Sequence, residues 1–170
     1  MMKLVIFGLG KYGRVIEDVA LQMGQYDRVD FLDDYINSPR VVGKCGDFLR
    51  LMSEDTAFFV AFGDNALRAY WLEVLDKAQA NVVNIIHPTA YISPTVKLGK
   101  GVAILPKALI NSYCIIGDGG LINSGAIIDH DTTIGAYAHI CVGAIVKADN
   151  NIPCKMKVEA GTVIERNTYQ

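Results

Sequence analysis

From Ile92 to Ile164 every sixth residue is Ile, Leu or Val. The series runs Ile92, Leu98, Ile104, Ile110, Ile116, Ile122, Ile128, Ile134, Ile140, Val146, Ile152, Val158, Ile164, thirteen consecutive positions, and Ile86 extends it backwards by one. A second series lies two residues ahead of each anchor. It includes Ala90, Val96, Val102, Ala108, Cys114, Gly120, Ala126, Thr132, Ala138, Ala144 and Asn150, and neither series contains a charge. An amphipathic helix repeats about every 3.6 residues and a half-buried strand about every 2. A strict period of six is the mark of a hexapeptide-repeat parallel β-helix. Three six-residue sides close one triangular coil, so the thirteen anchors make a little over four coils. Coils stack through parallel backbone hydrogen bonds at a spacing of roughly 4.8 Å. Each coil touches only its neighbours, so the end coils need caps.

Composition agrees with an apolar solenoid interior. Apolar residues make up 51% of the 170, and the mean hydropathy is +0.26. The net charge of −2 leaves no electrostatic footprint for nucleic acid. No apolar run approaches the ~20 residues of a membrane span, and the stretch broken by Gly8 and Gly10 lacks a signal-peptide cleavage pattern. The cysteines Cys45, Cys114, Cys141 and Cys154 form no C-x-x-C pair. They read as reduced thiols of a cytoplasmic protein, with Cys114 a small apolar side chain in the interior series.

Before residue 85 the period is absent and another rhythm appears. Strands are expected at Lys3–Phe7, Arg28–Leu32, Ala57–Phe62 and Val82–Ile86. Helices are expected at Arg14–Met23 and Ala66–Ala78, with a short helix at Asp47–Met52. Alternation of this kind argues for a small parallel α/β sheet. The expected division is residues 1–84 as a small α/β domain and residues 85–170 as the β-helix. Gly8-Leu9-Gly10-Lys11-Tyr12-Gly13 follows a strand and opens a helix, the context in which G-x-G-x-x-G binds phosphate at a helix N-terminus. Asp33 follows the second strand, where a carboxylate can take ribose hydroxyls. A whole dinucleotide fold needs a second half that this chain commits to the solenoid, so a nucleotide-linked substrate on a half-fold suits it better than NAD. Asp64 and Asn65 are placed to cap the next helix.

The combination resembles the bacterial UDP-4-amino-sugar N-acetyltransferases of the bacillosamine pathway and the sialic acid O-acetyltransferases. The residues that carry it are the Gly-rich turn, Asp33-Asp34, Phe62-Gly63-Asp64-Asn65, and the stretch from Leu121-Ile122-Asn123-Ser124-Gly125 through Asp129-His130-Asp131 and His139 to Val142-Gly143-Ala144. The resemblance implies a half-Rossmann α/β domain followed by a left-handed parallel β-helix, assembled as a homotrimer. It implies transfer of acetyl from acetyl-CoA to the amine of a UDP-linked 4-amino-4,6-dideoxy sugar, without a metal, a membrane or nucleic acid. His130 maps to the general base, Asp131 to the acid that strengthens it, and His139 to a contact with acetyl-CoA. Asn123 and Gly143 fall beside that groove, with the Gly143 N–H as an oxyanion donor. Gly10, Lys11, Tyr12, Asp33, Asp34 and Gly63 map to the sugar-nucleotide site. Relatives carry a longer solenoid and tail, so a shortened non-catalytic member that binds only the sugar nucleotide is an alternative. Sialic acid O-acetylation is another. A γ-carbonic-anhydrase-like zinc site would need three histidines per metal, and His87 lies outside the solenoid with a structural role expected. His130 and His139 are nine residues apart, half a coil, so they belong to different sides of one prism and are expected to meet only between subunits.

Overall fold

The computed structural model describes residues 2–170, which divide into two compact units, one ending at Asn84 and one spanning Ile85–Gln170. The first contains β1 (Lys3–Phe7), α1 (Lys11–Met23), β2 (Arg28–Leu32), β3 (Val41–Gly43), a 3-10 turn at Cys45–Leu51, β4 (Thr56–Val60) and α2 (Asn65–Lys77). All strand pairs are parallel, in the order β3-β2-β1-β4. That order is the first half of the dinucleotide-binding sheet, with its reversal between β1 and β4. Leu4–Phe7 and all of β4 are buried, as in strands covered on both faces. Helix α1 turns Gly13, Ile16, Val19 and Ala20 inward and ends on left-handed Gly24. Helix α2 is capped by Asp64, whose Oδ1 accepts the Leu67 N–H at 2.7 Å.

Three expectations change here. Helix α1 starts at Lys11, not Arg14, because Gly10 serves as its N-cap. The run Val82–Ile86 is not one strand: Val82 makes a single bridge to Phe58, whereas Ile85–Ile86 pairs with Ala103–Ile104 of the solenoid. The fourth strand of the sheet is instead Val41–Gly43, a three-residue edge too short to show a pattern.

The second unit contains fourteen two-residue strands, β5 (Ile85–Ile86) to β18 (Val163–Ile164), arranged in three parallel sheets. Partners are 18 residues apart throughout, as in Ile122 with Ile104 and Ile140. Ten successive anchors, Ile104 to Val158, are at most 2% exposed and form one continuous core. Ile92, Leu98 and Ile164 are only partly buried, because a terminal coil has a neighbour on one side alone. Among the described residues, no helix is long and apolar enough to cross a membrane.

Two polar members of the inward series are fully buried and fully engaged. The Thr132 hydroxyl reaches the carbonyls of His130 and Lys147, both at 3.3 Å. Asn150 donates to the Lys147 and Glu165 carbonyls at 2.8 and 2.9 Å and accepts the Tyr169 N–H at 2.9 Å. The Tyr169 carbonyl accepts the Asn151 N–H at 2.8 Å and its side chain packs on the core, so the tail caps the last coil.

A third series of period six appears only in the backbone. From residue 101 to residue 167 every sixth residue is left-handed, and seven of these are not glycine: Lys107, Tyr113, Asp131, Tyr137, Asp149, Lys155 and Asn167. Left-handed backbone costs an L-residue about 1–2 kcal/mol. At six of them, Lys107 to Lys155, the corner N–H offsets part of that by bonding to the coil before it, as in Tyr137 to the Asp118 carbonyl at 2.7 Å. Neighbouring Ile115 and Ile116 are 45% and 1% exposed. Ile116→Ala should therefore lower the free energy of unfolding by about 2–5 kcal/mol and Ile115→Ala by no more than about 0.5 kcal/mol, measured by urea denaturation. Equal losses would contradict the inward and outward assignment.

Candidate active site and nucleotide cleft

In the first unit the Gly-rich turn leaves the C-terminal end of β1 at the reversal of strand order, where open α/β sheets bind ligands. Its three glycines do different work. Gly8 is left-handed at φ 96°. A Cβ on Gly13 would lie 1.9 Å from the Gly8 carbonyl oxygen, so only glycine lets α1 sit this close to β1. Gly10 has open space around a built Cβ and no side-chain cap, leaving the first N–H groups of α1 accessible. Lys11 is exposed on the first turn. Beside the turn, Leu9, Arg14, Ile36, Ser38 and Arg40 line a groove of about 320 Å³. Arg40 pairs with Glu17 and lies over the Phe31 ring at 4.9 Å. A smaller pocket of about 140 Å³ is lined by Asp33, Asp34, Tyr35, Cys45, Phe62, Leu67 and Trp71.

Two of the expected nucleotide contacts, Asp33 and Tyr12, have side chains already engaged or buried within the unit. Both oxygens of Asp33 are engaged by backbone: Oδ2 accepts the Leu9 N–H at 2.8 Å, and Oδ1 accepts those of Tyr35 and Ile36 at 2.9 and 2.8 Å. Partial burial pushes this carboxyl up, but the donors from Ile36, Leu9 and Tyr35 together hold it below the usual range. Asp33 therefore ties the Gly-rich turn to the loop after β2, with Oδ2 accepting a single N–H and keeping acceptor capacity. The Tyr12 hydroxyl is buried with no hydrogen-bond partner among the described residues, and burial raises its pKa despite the nearby Arg68 charge. Asp34 and Gly63 remain exposed, with Asp34 Oδ1 accepting the Cys45 N–H at 2.9 Å. The sequence reading missed Arg68, a buried guanidinium that holds the loop after β4 through the Phe62 carbonyl at 2.9 Å and Asn65 Oδ1 at 2.8 Å. Asn65 thus serves Arg68 instead of capping α2. Arginine inside an apolar helical face was the available signal.

In the β-helix, His130 stands at the corner after Ile127–Ile128, partly exposed. Its Nδ1 lies 2.8 Å from Asp131 Oδ2. A carboxylate only accepts, so Nδ1 carries a proton and Nε2 holds the lone pair. The hydrogen bond to Asp131 raises the His130 pKa above the ordinary 6.5; desolvation opposes it, and the charges of Asp129, Asp131 and Asp149 add to the rise. The His130 N–H and the Asn111 side chain, one coil back, hold the Asp129 carboxyl below its usual range. Cys114 lies beneath this corner with Sγ 3.1 Å from the Asp129 carbonyl oxygen, so it is a weak hydrogen-bond donor and not merely apolar filler. Asp149, one coil on, receives Arg166 at 2.6 Å; neither residue was picked out from the sequence.

His139 opens the strand His139–Ile140 on another face, with its Nε2 3.3 Å from Asn123 Nδ2. The expected oxyanion donor at Gly143 is corrected: its N–H is bonded to the Ser124 carbonyl at 3.0 Å, as the stacking of left-handed corners requires. His87 is buried, and its Nδ1 accepts the Thr89 N–H at 3.0 Å, a turn contact. No group of three or more His, Cys, Asp or Glu among the described residues is placed to hold a metal ion.

A half-Rossmann unit followed by a left-handed parallel β-helix is the frame of hexapeptide-repeat acyltransferases. Residues 3–75 match the PglD N-terminal domain family. The fold superposes on the acetyltransferase domain of PglB from Neisseria gonorrhoeae with a TM-score of 0.86 and 26% identity, covering 98% of this chain and 92% of that one. It superposes on PerB from Caulobacter crescentus, solved with CoA and GDP-perosamine, with a TM-score of 0.84 and 31% identity, covering 98% of this chain and 90% of that one. In sequence it is 29% identical over 116 residues to the UDP-N-acetylbacillosamine N-acetyltransferase of Bacillus subtilis, a match covering 62% of this chain and about half, 52%, of that protein. The chain belongs to the family of hexapeptide-repeat sugar N-acetyltransferases.

The glycines of the turn generate a paired prediction. Gly13→Ala should destabilise the protein by about 1–3 kcal/mol through overpacking, read as a lowered Tm. Gly10→Ala should leave Tm unchanged, because a Cβ there meets only open space. Equal Tm values for the two variants would overturn the division of roles.

Proposed function

We propose that this protein moves the acetyl group of acetyl-CoA to the amine of a nucleotide-linked 4-amino-4,6-dideoxy sugar, with UDP as the nucleotide and His130 as the general base. The observation that carries the reading is the His130–Asp131 pair, which leaves Nε2 as acceptor beside three carboxylates. The amine lone pair attacks the thioester carbonyl carbon, the C–S bond breaks as the tetrahedral intermediate collapses, and CoA leaves as thiolate. The proton lost by the amine goes to Nε2, and Asp131 favours the imidazolium that results. Nucleotide binding falls to the first unit, through Gly10, Lys11, Asp34 and Gly63, with Arg14 and Arg40 as further partners for the diphosphate. CoA binding falls to the second, at His139, Asn123 and Gly143. The Bacillus relative is named for a UDP sugar, and the Caulobacter relative was solved with a GDP sugar. A cytoplasmic setting, where acetyl-CoA is made and used, suits the chemistry.

A homotrimer belongs to the same reading. One sheet of the β-helix presents an outward ladder of Tyr91, Leu109, Ile127, Ile145 and Val163, all apolar and in direct register. Tyr91, Ile127 and Val163 are exposed in the single chain. Burying such a ladder against copies of the chain favours closed three-fold assembly. It also offers the route by which His130 of one subunit meets His139 of the next.

Free-thiol release with acetyl-CoA tests the function directly. UDP- and GDP-linked 4-amino sugars should be compared with sialic acid as acceptors. Release is expected with a UDP sugar, and His130→Ala should reduce kcat by about 10²–10⁴-fold. Release with sialic acid alone would refute N-acetylation, and release with GDP sugars alone would refute the choice of nucleotide. The base acts only when neutral, so activity should fall as pH drops through the raised His130 pKa. Asp131→Asn removes the leading cause of that rise, and the acidic limb of kcat/KM should move to lower pH. An unmoved limb would remove His130 from the proton transfer. Ile127→Asp should convert a trimer to monomer by light scattering and abolish activity; a monomeric, fully active wild type would refute the shared groove.

A further inference from the structure

The contact between Asn123 and His139 specifies more than proximity. Asn123 Oδ1 accepts the Ser124 N–H at 2.8 Å. Only an oxygen can accept that bond, so the orientation of the amide is settled by its own corner. The atom facing His139 is therefore the amide nitrogen, 3.3 Å from Nε2. An amide NH2 donates and does not accept. Nε2 must then be the acceptor, without a proton, and the neutral ring carries its proton on Nδ1.

We propose that Asn123 is a positioning residue that holds His139 as the neutral Nδ1–H tautomer, so that His139 meets the acyl donor as a hydrogen-bond donor and not as a second base. The proposal rests on the acetyl-transfer reading above. The two histidines then differ in kind. His130 is paired with a carboxylate and gathers acidic neighbours. His139 is paired with a donor, and protonating Nε2 would set one donor against another. Any hydrogen bond from His139 to the acyl oxygen runs through Nδ1–H. That bond strengthens as the oxygen gains charge in the tetrahedral intermediate. The same task cannot fall to the Gly143 N–H, which is bonded to the Ser124 carbonyl. Asn123 lies 16 residues before His139, close to one coil, so the stacking that forms the solenoid also brings the amide to the ring.

The test is long-range 1H–15N spectroscopy of ring-labelled histidine in the intact protein, with His139 assigned by His139→Gln. The expected spectrum has a protonated Nδ1 and an unprotonated Nε2. A wild-type Nε2–H tautomer, or an imidazolium at neutral pH, overturns the proposal without any variant and without an activity assay. Asn123→Asp replaces the donor with an acceptor and should move the proton to Nε2. It should also lower kcat by about 10²-fold, the size expected for a lost oxyanion donor, with KM for the nucleotide sugar unchanged. Wild-type kcat in Asn123→Asp would refute the role even if the tautomer is as stated. An Nδ1–H signal in a protein that releases no CoA with any acceptor would instead sink the acetyl-transfer reading and, with it, the assigned role of His139.

Discussion

Axial stacking of identical corners is the constraint on which the second unit depends. Each coil must repeat the shape of the one before it for the parallel bonds at 18-residue spacing to form. The apolar anchors supply the driving force, since Ile104 to Val158 are almost wholly removed from water. The corners supply the geometry. Residues such as Tyr137 and Lys155 accept left-handed backbone because their N–H groups find a carbonyl one coil back. Even the buried polar groups obey the stacking: Thr132 and Asn150 each bond carbonyls of adjacent coils.

The chemistry inherits this order. In a solenoid, side chains about 18 residues apart become neighbours, so the site is assembled along columns instead of along the chain. Asn111 reaches Asp129, Asp149 adds its charge near His130, and Asn123 reaches His139. The commitment of corner N–H groups to stacking also removes some of them from catalysis, as at Gly143.

The period of six made the β-helix and its interior legible, and the G-x-G-x-x-G after a strand made the first unit legible. Strands Lys3–Phe7 and Arg28–Leu32 agree residue for residue with the sequence reading, because the apolar residues Leu4–Phe7 in one and Val29, Phe31 and Leu32 in the other each lead into a turn. Val41–Gly43 was not, since three edge residues carry no periodicity. Val82–Ile86 was misread because its apolar run spans the junction of two rhythms. His130 and Asp131 are adjacent in sequence, and their pairing could be read there. Asp33 and Tyr12 could not be read: a carboxylate after strand two has the same sequence whether it faces a ribose or three backbone N–H groups.

The sequence by itself determined the kind of structure. A repeat with no charge in its inward positions can bury those positions only by coiling, and the glycines at 8 and 13 permit the tight strand-to-helix turn. The tertiary structure alone decided which polar groups remain available. It set Asp33 and the Gly143 N–H to internal bonds, buried the Tyr12 hydroxyl, and faced the Asn123 amide toward His139. Those outcomes depend on partners one coil or one strand away, and hydrogen-bond partnership at such separations is a property of the packed chain.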